Sequence, residues 1–485
     1  MKVNVKEFSF LLVAFLLTAL CLIWTNNILG LTVTALFAVY AFFRPKNGLL
    51  LLIMYFPIRA FLIEVNPALK GIGDLIIIAI FLKVVFMNRK KFKSLFHFDF
   101  FEISFIIFCL IGAISAIITG VSPVAIVFQL RAFVIAFLLY YIVKRLDIKK
   151  EDIYKFLWVV VLTAIIICIQ GLVEKISIRT VLLPEVWEQK RISPTNKDRI
   201  YGLIGNPNVL AVFLSISFLL TMILRSMVEL KKIKHILFII LVLIAGTLEL
   251  TYSRGTFLAI TVGVIAYFIL TRNIKKISLI AMTIILGTIC IFYPANYLAD
   301  SYSKKLEEAN TGELQGEDDE TPEPKEDKPN DRIAESFDED TLSLSKKSGR
   351  LFVIDKGFQV FKDNPLIGTG FATFGDSATK SFSSPIYEEY GISRNIYSDN
   401  QYIQIIAQTG VTGVLIFASF LLSMLWMLWK FRKENKFTIP LIALLLATFV
   451  WGLFYNIWEN KTFTVYYFIL LGYLFNYNSY RRKSL

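Results

Sequence analysis

The sequence predicts an all-α polytopic membrane protein with about fourteen (12–14) transmembrane helices and one large extracytoplasmic loop between the eleventh and twelfth spans. Three observations predict this class. Of 485 residues, 56% are hydrophobic and only 18% are charged, where a soluble chain of this size would be about a quarter charged. Apolar runs long enough to cross a hydrocarbon core of about 30 Å recur along the whole chain. The Lys and Arg residues gather in short connections between those runs, so the net charge of +13 reads as topology rather than as a nucleic-acid surface.

The first run begins at Phe8 after Lys2 and Lys6, in the manner of a signal peptide. The stretch from Cys21 to Thr25 has no small-x-small cleavage pattern, so the run is expected to remain as the first span. The expected spans are 8–24, 28–43, 49–63, 72–87, 102–119, 123–143, 153–173, 207–224, 235–250, 255–271, 277–293, 411–429, 437–454 and 463–478. Alternate connections carry the cations: Arg44 and Lys46; Arg89 to Lys93; Lys144, Arg145, Lys149 and Lys150; Arg225 to Lys234; Arg272, Lys275 and Lys276; Lys430 to Lys436. The facing short loops hold only Arg59, Lys70, Arg254 and Lys461. By the positive-inside rule, both termini are expected to be cytoplasmic.

Two long connections fall on the other side, at 174–206 and from 294 to 400. The expected organisation is an N-terminal bundle over 1–293, the large loop over 294–400, and C-terminal helices over 401–485. Residues 300–345 are acidic, rich in Pro and Gly and almost free of aromatics. Such a segment cannot bury enough apolar area to fold alone, so it is expected to be a disordered spacer. Residues 346–400 are expected to be structured and to contribute to the site. There, Phe352, Lys356, Gln359 and Val360 mark an amphipathic helix from Arg350 to Lys362, ended by Asp363, Asn364 and Pro365.

Cys21, Cys109, Cys168 and Cys290 each stand alone in an apolar segment, without metal-ligand or redox spacing. His97 and His235 lie in basic loops and form no catalytic cluster. Neither a metal nor another cofactor is expected. The informative polar residues lie elsewhere. Arg131 sits eight residues into an apolar helix, roughly 12 Å deep, where an ionisable group costs about 2.5–3.5 kcal/mol on insertion scales. It should face a polar cavity or a carboxylate, with Asp74 and Glu64 as candidate partners.

Arg254 lies in a turn between two spans, on the cation-poor side. It is either paired with Glu249 or an anion clamp, since guanidinium offers a planar fork of donors to phosphate. Gly255 would then let the backbone approach the anion. Arg350 opens the loop helix, where a cation opposes the helix dipole, and this favours a second anion contact. In GNPN, Asn206 is a helix cap with Pro207 at the first position, and Asn208 can face a cavity. In SDNQYIQIIAQTGVTG (398–413), Ser398 and Gln401 form a capping box, with Asp399 as a first-turn acid. Asn400, Gln404 and Gln408 form a stripe four residues apart that capping does not require.

The ordered set of SRG (253–255), GNPN (205–208), GR with NPLIGTGFATF (349–350 and 364–374) and DNQYIQIIAQTGVTG (399–413) resembles the O-antigen ligase and O-antigen polymerase superfamily of bacterial surface-glycan assembly. Members typically carry a His or similar residue, a small polar residue, nine residues, then Gly-x-x-Gly. Here Asn400, nine residues and Gly410 to Gly413 match that spacing, with Asp399 at the His position. The likeness covers residues 200–480 well and the first 200 loosely. It implies inverting glycosyl transfer on the outer face of the cytoplasmic membrane, from a glycan carried on a polyprenyl diphosphate, without a metal.

Carried over by motif, Arg254 and Arg350 hold the diphosphate. Asp399 is the candidate general base, and Asn400 and Gln404 hold sugar hydroxyls. Arg131, Asn206 and Asn208 are further candidate substrate contacts. The expected partners are the lipid-linked donor, an acceptor glycan, membrane lipids, and a chain-length regulator and flippase of the same pathway. Nucleic acid is excluded. The expected activity is polymerisation of repeat units into capsule, exopolysaccharide or a teichuronic-acid-like polymer. The alternatives are transfer of a finished glycan to a lipid or protein acceptor, and a lipid-linked-oligosaccharide flippase. Against the last, no paired halves are found and the polar residues gather at one edge.

Overall fold

A computed structural model describes residues 9–189, 192, 196–312 and 349–483, and these are helical with no strand. The first seven helices are α1 (Ser9–Ile23), α2 (Asn27–Phe43), α3 (Pro45–Val65), α4 (Ile72–Asn88), α5 (Phe100–Ile118), α6 (Pro123–Arg145) and α7 (Lys150–Ile176). After the long connection come α8 (Pro207–Met227), α9 (Lys231–Glu249), α10 (Arg254–Thr271) and α11 (Ile274–Gly287). A π turn at Thr288–Phe292 carries α11 into α12 (Tyr293–Gly312). The remaining helices are α13 (Arg350–Asp363), α14 (Ser377–Phe382), α15 (Gln401–Lys430), α16 (Thr438–Trp451) and α17 (Lys461–Lys483).

Each of the fourteen apolar segments falls on a helix. Among the described residues, eight helices are long and apolar enough to cross a membrane, and α1, α2 and α16 are shorter apolar helices. The chain is a polytopic helical membrane protein. Two helices run past their expected ends. The eleventh span continues without a break to Gly312, and the twelfth begins ten residues early, at Gln401. The expected spacer therefore starts inside a helix, and its portion from 313 to 345 lies outside the described residues.

Starts follow local chemistry. Asn26, Ser122 and Asn206 turn a side-chain oxygen onto first-turn N–H groups, and Pro123 and Pro207 occupy the first helical position, where no donor is needed. The interior is one apolar cluster reaching from Leu11 to Phe475. Its centre is aromatic: Phe105 stacks on Phe137 at 4.0 Å, and Phe420 packs on Phe105 at 5.4 Å and on Trp458 at 5.5 Å, tying α5, α6 and α15 to the α16–α17 connection. Leu12, Phe15, Leu31, Ile117 and Trp426 point outward with more than half their surface exposed, as a lipid-facing belt requires.

The described part of the large loop packs on one end of this bundle, here termed the loop face. Val353 and Val360 of α13 join Phe374, Tyr387, Ile396, Ile403 and Ala407 in a second small core. The NPLIGTGF segment is wedged between α5 and α15. Inside α15, Gly410 leaves helical geometry (φ 57°, ψ −162°), which opens the backbone ladder. The loop fills the gap: Thr369 N–H donates to Ala407 O (3.2 Å) and Gly370 N–H to Gln408 O (2.7 Å). From the other side, Val411 N–H donates to Pro365 O (2.8 Å) and Thr412 N–H to Leu366 O (3.1 Å). On α5, Phe371 N–H donates to Gly112 O (2.9 Å) and Ser115 Oγ donates to Gly368 O (2.7 Å). The two motifs therefore co-occur because their backbones complete one another.

Candidate active site

At the start of α15 the cap is Asn400, whose Oδ1 accepts from Tyr402 N–H (3.0 Å) and Ile403 N–H (3.1 Å). Ser398 sits one step further out, where its Oγ donates to Asn400 O (2.9 Å). The expected Ser398 capping box is thus replaced by an Asn400 cap, because an Asn side chain reaches the two donors that follow it. Asp399 accordingly precedes the helix rather than occupying its first turn. It lines a cleft of about 290 Å³ with Arg350, Val353, Arg394, Tyr397, Asn400 and Leu453. Its carboxylate lies 3.7 Å from the Arg350 guanidinium, both side chains keeping about half their surface open (45% and 55%). The surrounding protein nevertheless strips water from the carboxyl and holds it above its ordinary range, against the pull of Arg350 and Lys380.

Arg350 opens α13, as expected, and Arg254 opens α10 with an exposed side chain. Glu249, the alternative partner of Arg254, directs its carboxylate to Thr288 Oγ1 (2.9 Å). Gly255 does a packing job: a Cβ there would stand 2.8 Å from the Phe454 ring. Asn206 caps α8 through Asn208 N–H (2.9 Å) and Val209 N–H (3.1 Å). Asn208 turns inward and accepts from Ser253 Oγ (3.2 Å) and from Arg199 Nη2 (2.5 Å). Ser253 Oγ in turn lies 2.7 Å from the Tyr455 hydroxyl.

Arg199 is the residue that sequence reasoning missed. Its fork is held by Thr251 O (2.7 Å), Asn196 Oδ1 (2.9 Å) and Asn208. Burial, with Arg350 and Arg254 both within electrostatic reach, disfavours its charge. Three guanidinium groups from three separate segments therefore share one region of the loop face. Nothing local separates Arg199 from Arg179, Lys190, Arg191 and Lys197 in the same connection. Its only sequence signal is the nearby Asn208 that receives it.

Gln404 is placed differently from a cleft-lining residue. It is fully buried, donating from Nε2 to Glu459 Oε1 and accepting from Gln401 Nε2 (3.1 Å). Gln408 is also buried and donates to Asp376 Oδ2 (2.6 Å). The stripe thus faces two interior carboxylates, with Asn400 alone at the cleft. Arg131 is likewise away from the cleft, in an ion pair with Asp74 as anticipated.

Beneath Arg254 lies an apolar groove of about 470 Å³ between α8, α9, α10, α11 and α16. Its lining runs from Glu249, Phe257 and Trp451 near the loop face to Tyr267, Lys276 and Lys436 at the opposite end. Phe257 is three residues from Arg254, on the same helical face.

Comparison with the curated proteins gives no match. A family model described as O-Antigen ligase matches residues 239–418. That region runs from α9 into α15 and contains Arg254, Arg350, Asp399, Asn400 and the Gly410 break, while Arg131, Arg199, Asn208, Tyr455 and Glu459 fall outside it. Over residues 239–418 the chain is similar to the O-antigen ligase family.

Proposed function

We propose that this protein polymerises polyprenyl-diphosphate-linked oligosaccharide repeats into a cell-surface polysaccharide at the outer face of the cytoplasmic membrane. One observation carries the reading: Arg254 and Arg350 both lie within electrostatic reach of Arg199, Arg350 stands beside the Asp399 carboxylate, and an apolar groove runs below Arg254. A diphosphate needs the cations, and a long hydrocarbon carrier needs the groove. Both chain termini lie in the cytoplasm on this reading, so that the loop face looks outward.

The step is a displacement at the anomeric carbon. An acceptor hydroxyl gives its proton to the Asp399 carboxylate as its oxygen bonds to that carbon. The bond to the diphosphate oxygen breaks, and its electron pair leaves with the diphosphate. Charge grows there in the transition state, where prepositioned guanidinium groups stabilise it more than in the ground state. Asn400 keeps its side-chain NH₂ for a sugar hydroxyl at the cleft wall while its oxygen caps the helix. Arg350 and Lys380 act against the burial that raises the Asp399 carboxyl.

The test is the set of lipid-linked glycans in a strain lacking the protein, complemented with Arg254→Ala or Arg350→Ala. Single repeats on the outer leaflet, with protein level unchanged, are the expected result. Long lipid-linked polymer would instead indicate transfer of finished glycan, and repeats retained inside would indicate a flippase. Normal polymer length in both variants would remove the diphosphate clamp.

A further inference from the structure

We infer that a second anion site, separate from the cleft, lies at the loop-face ends of α3, α4, α6 and α17, built from Arg59, Arg131 and Lys461 around Asp74. Arg131 is paired with Asp74 through Nε and Nη2, and Lys461 Nζ stands 3.5 Å from the other oxygen of the same carboxylate. Arg59 lies within electrostatic reach of Lys461 and meets the hydroxyl of Tyr55. Tyr55 spends its own proton on Leu69 O (2.9 Å), fixing the α3–α4 connection beside the cluster. Two cations thus share one carboxylate, with Arg59 a third cation close by.

Low exposure makes this imbalance costly, and two aromatic faces offset only part of it. Lys461 Nζ lies over the Phe56 ring at 5.9 Å, and Arg131 over Phe128 at 5.9 Å. Side-chain exposure is only 14% for Asp74, 19% for Lys461 and 31% for Arg131. Like charges held together with little water repel, and an anion entering at the open edge relieves that repulsion. Asp74 then offsets only part of the cationic charge, and an anion from outside competes with it for the same donors. The ligand chemistry is a single carboxylate or phosphate, carried by an acidic sugar of the glycan or by the headgroup of an anionic lipid. Guanidinium and ammonium donors suit either.

The inference does not depend on the donor reading, and its test is kept apart from it. Full-length protein is measured in an Arg254→Ala, Arg350→Ala background, which weakens anion binding by the cleft. Two probes are used: glucuronate by titration calorimetry in detergent, and phosphatidylglycerol against phosphatidylcholine in nanodiscs by native mass spectrometry. At least one probe should bind, identifying the source. Lys461→Gln and Arg59→Gln should each weaken that binding about tenfold, the loss of one charge-assisted hydrogen bond. Asp74→Asn should tighten it, since it removes the competing carboxylate. A merely structural pair predicts the opposite for Asp74→Asn, namely unchanged or weakened binding. That outcome, binding of neither probe, or binding indifferent to Lys461→Gln and Arg59→Gln together overturns the site.

Discussion

Asp399 shows how one residue's register decides its chemistry. As a first-turn acid it would be stabilised in its charged form by the helix dipole and would be a weak base. Because Asn400 takes the cap, Asp399 stands outside the helix, and desolvation raises its carboxyl instead. Asp399→Asn keeps the shape and removes the base, and should lower turnover about 10²–10⁴-fold, the usual contribution of a general base. The wild-type rate should fall as pH drops through the raised carboxyl value, on a limb above the ordinary 3.8. A pH–rate profile on purified enzyme with a lipid-linked donor tests both. Arg199→Lys preserves charge but loses the fork that reaches Thr251, Asn196 and Asn208. It should cost about tenfold or more in kcat/KM, and unchanged kinetics would show that Arg199 acts by charge alone. Arg254 and Arg350 were legible in the sequence because each stands where a cation is locally disfavoured. Arg199 was not, because its neighbours in the chain are cations too and only the fold selects it.

At the scale of elements, the deciding feature is the seam between the NPLIGTGF loop and the broken α15. A Cβ at Gly410 would stand 2.6 Å from the Leu366 carbonyl at a φ of +57°, and one at Gly370 (φ +94°) would meet the Ala116 backbone. Strained backbone at such a position costs about 1–3 kcal/mol, before any displacement of the loop. Gly410→Ala and Gly370→Ala should therefore lower the thermal midpoint of the detergent-solubilised protein and abolish activity together. Gly391→Ala, at a positive φ but with nothing within 4 Å, is the control expected to retain activity. Here the sequence was half legible. The spacing from Asn400 to Gly413 located the α15 region, and the turn after Asp363 was expected. The glycines read as a site signature serve chiefly as joinery. Nothing in a one-dimensional pattern says that two motifs separated by some 40 residues share hydrogen bonds.

For the whole molecule, the fourteen apolar segments and the loop helix were readable because membrane burial imposes length and hydropathy on each helix separately. The packing between them imposes no such local mark. Glu459, in the α16–α17 connection, illustrates this: it accepts from Gln404 Nε2 and from Ser377 Oγ (2.8 Å), fastening the bundle to the loop domain. Burial, reinforced by Asp376, raises its carboxyl well above the ordinary 4.5. The folded protein then keeps a proton that the unfolded chain has lost, so stability falls as pH rises from 4.5 through the raised value. Glu459→Gln should flatten that decline and raise the thermal midpoint at neutral pH. A variant as pH-sensitive as wild type would show that the group is ionised in the fold.

The seam at Gly410 also bears on how such proteins can be recombined. A surface loop on an intact helix can be exchanged between relatives at its two ends. Here residues 365–370 supply carbonyls and amides that residues 407–412 lack on their own, and the reverse. The unit of inheritance is therefore the loop together with the first half of the following helix. A graft that carries the arginine of α13 without its own Gly410 segment would bring the specificity of one parent onto a helix that has no opening to receive it.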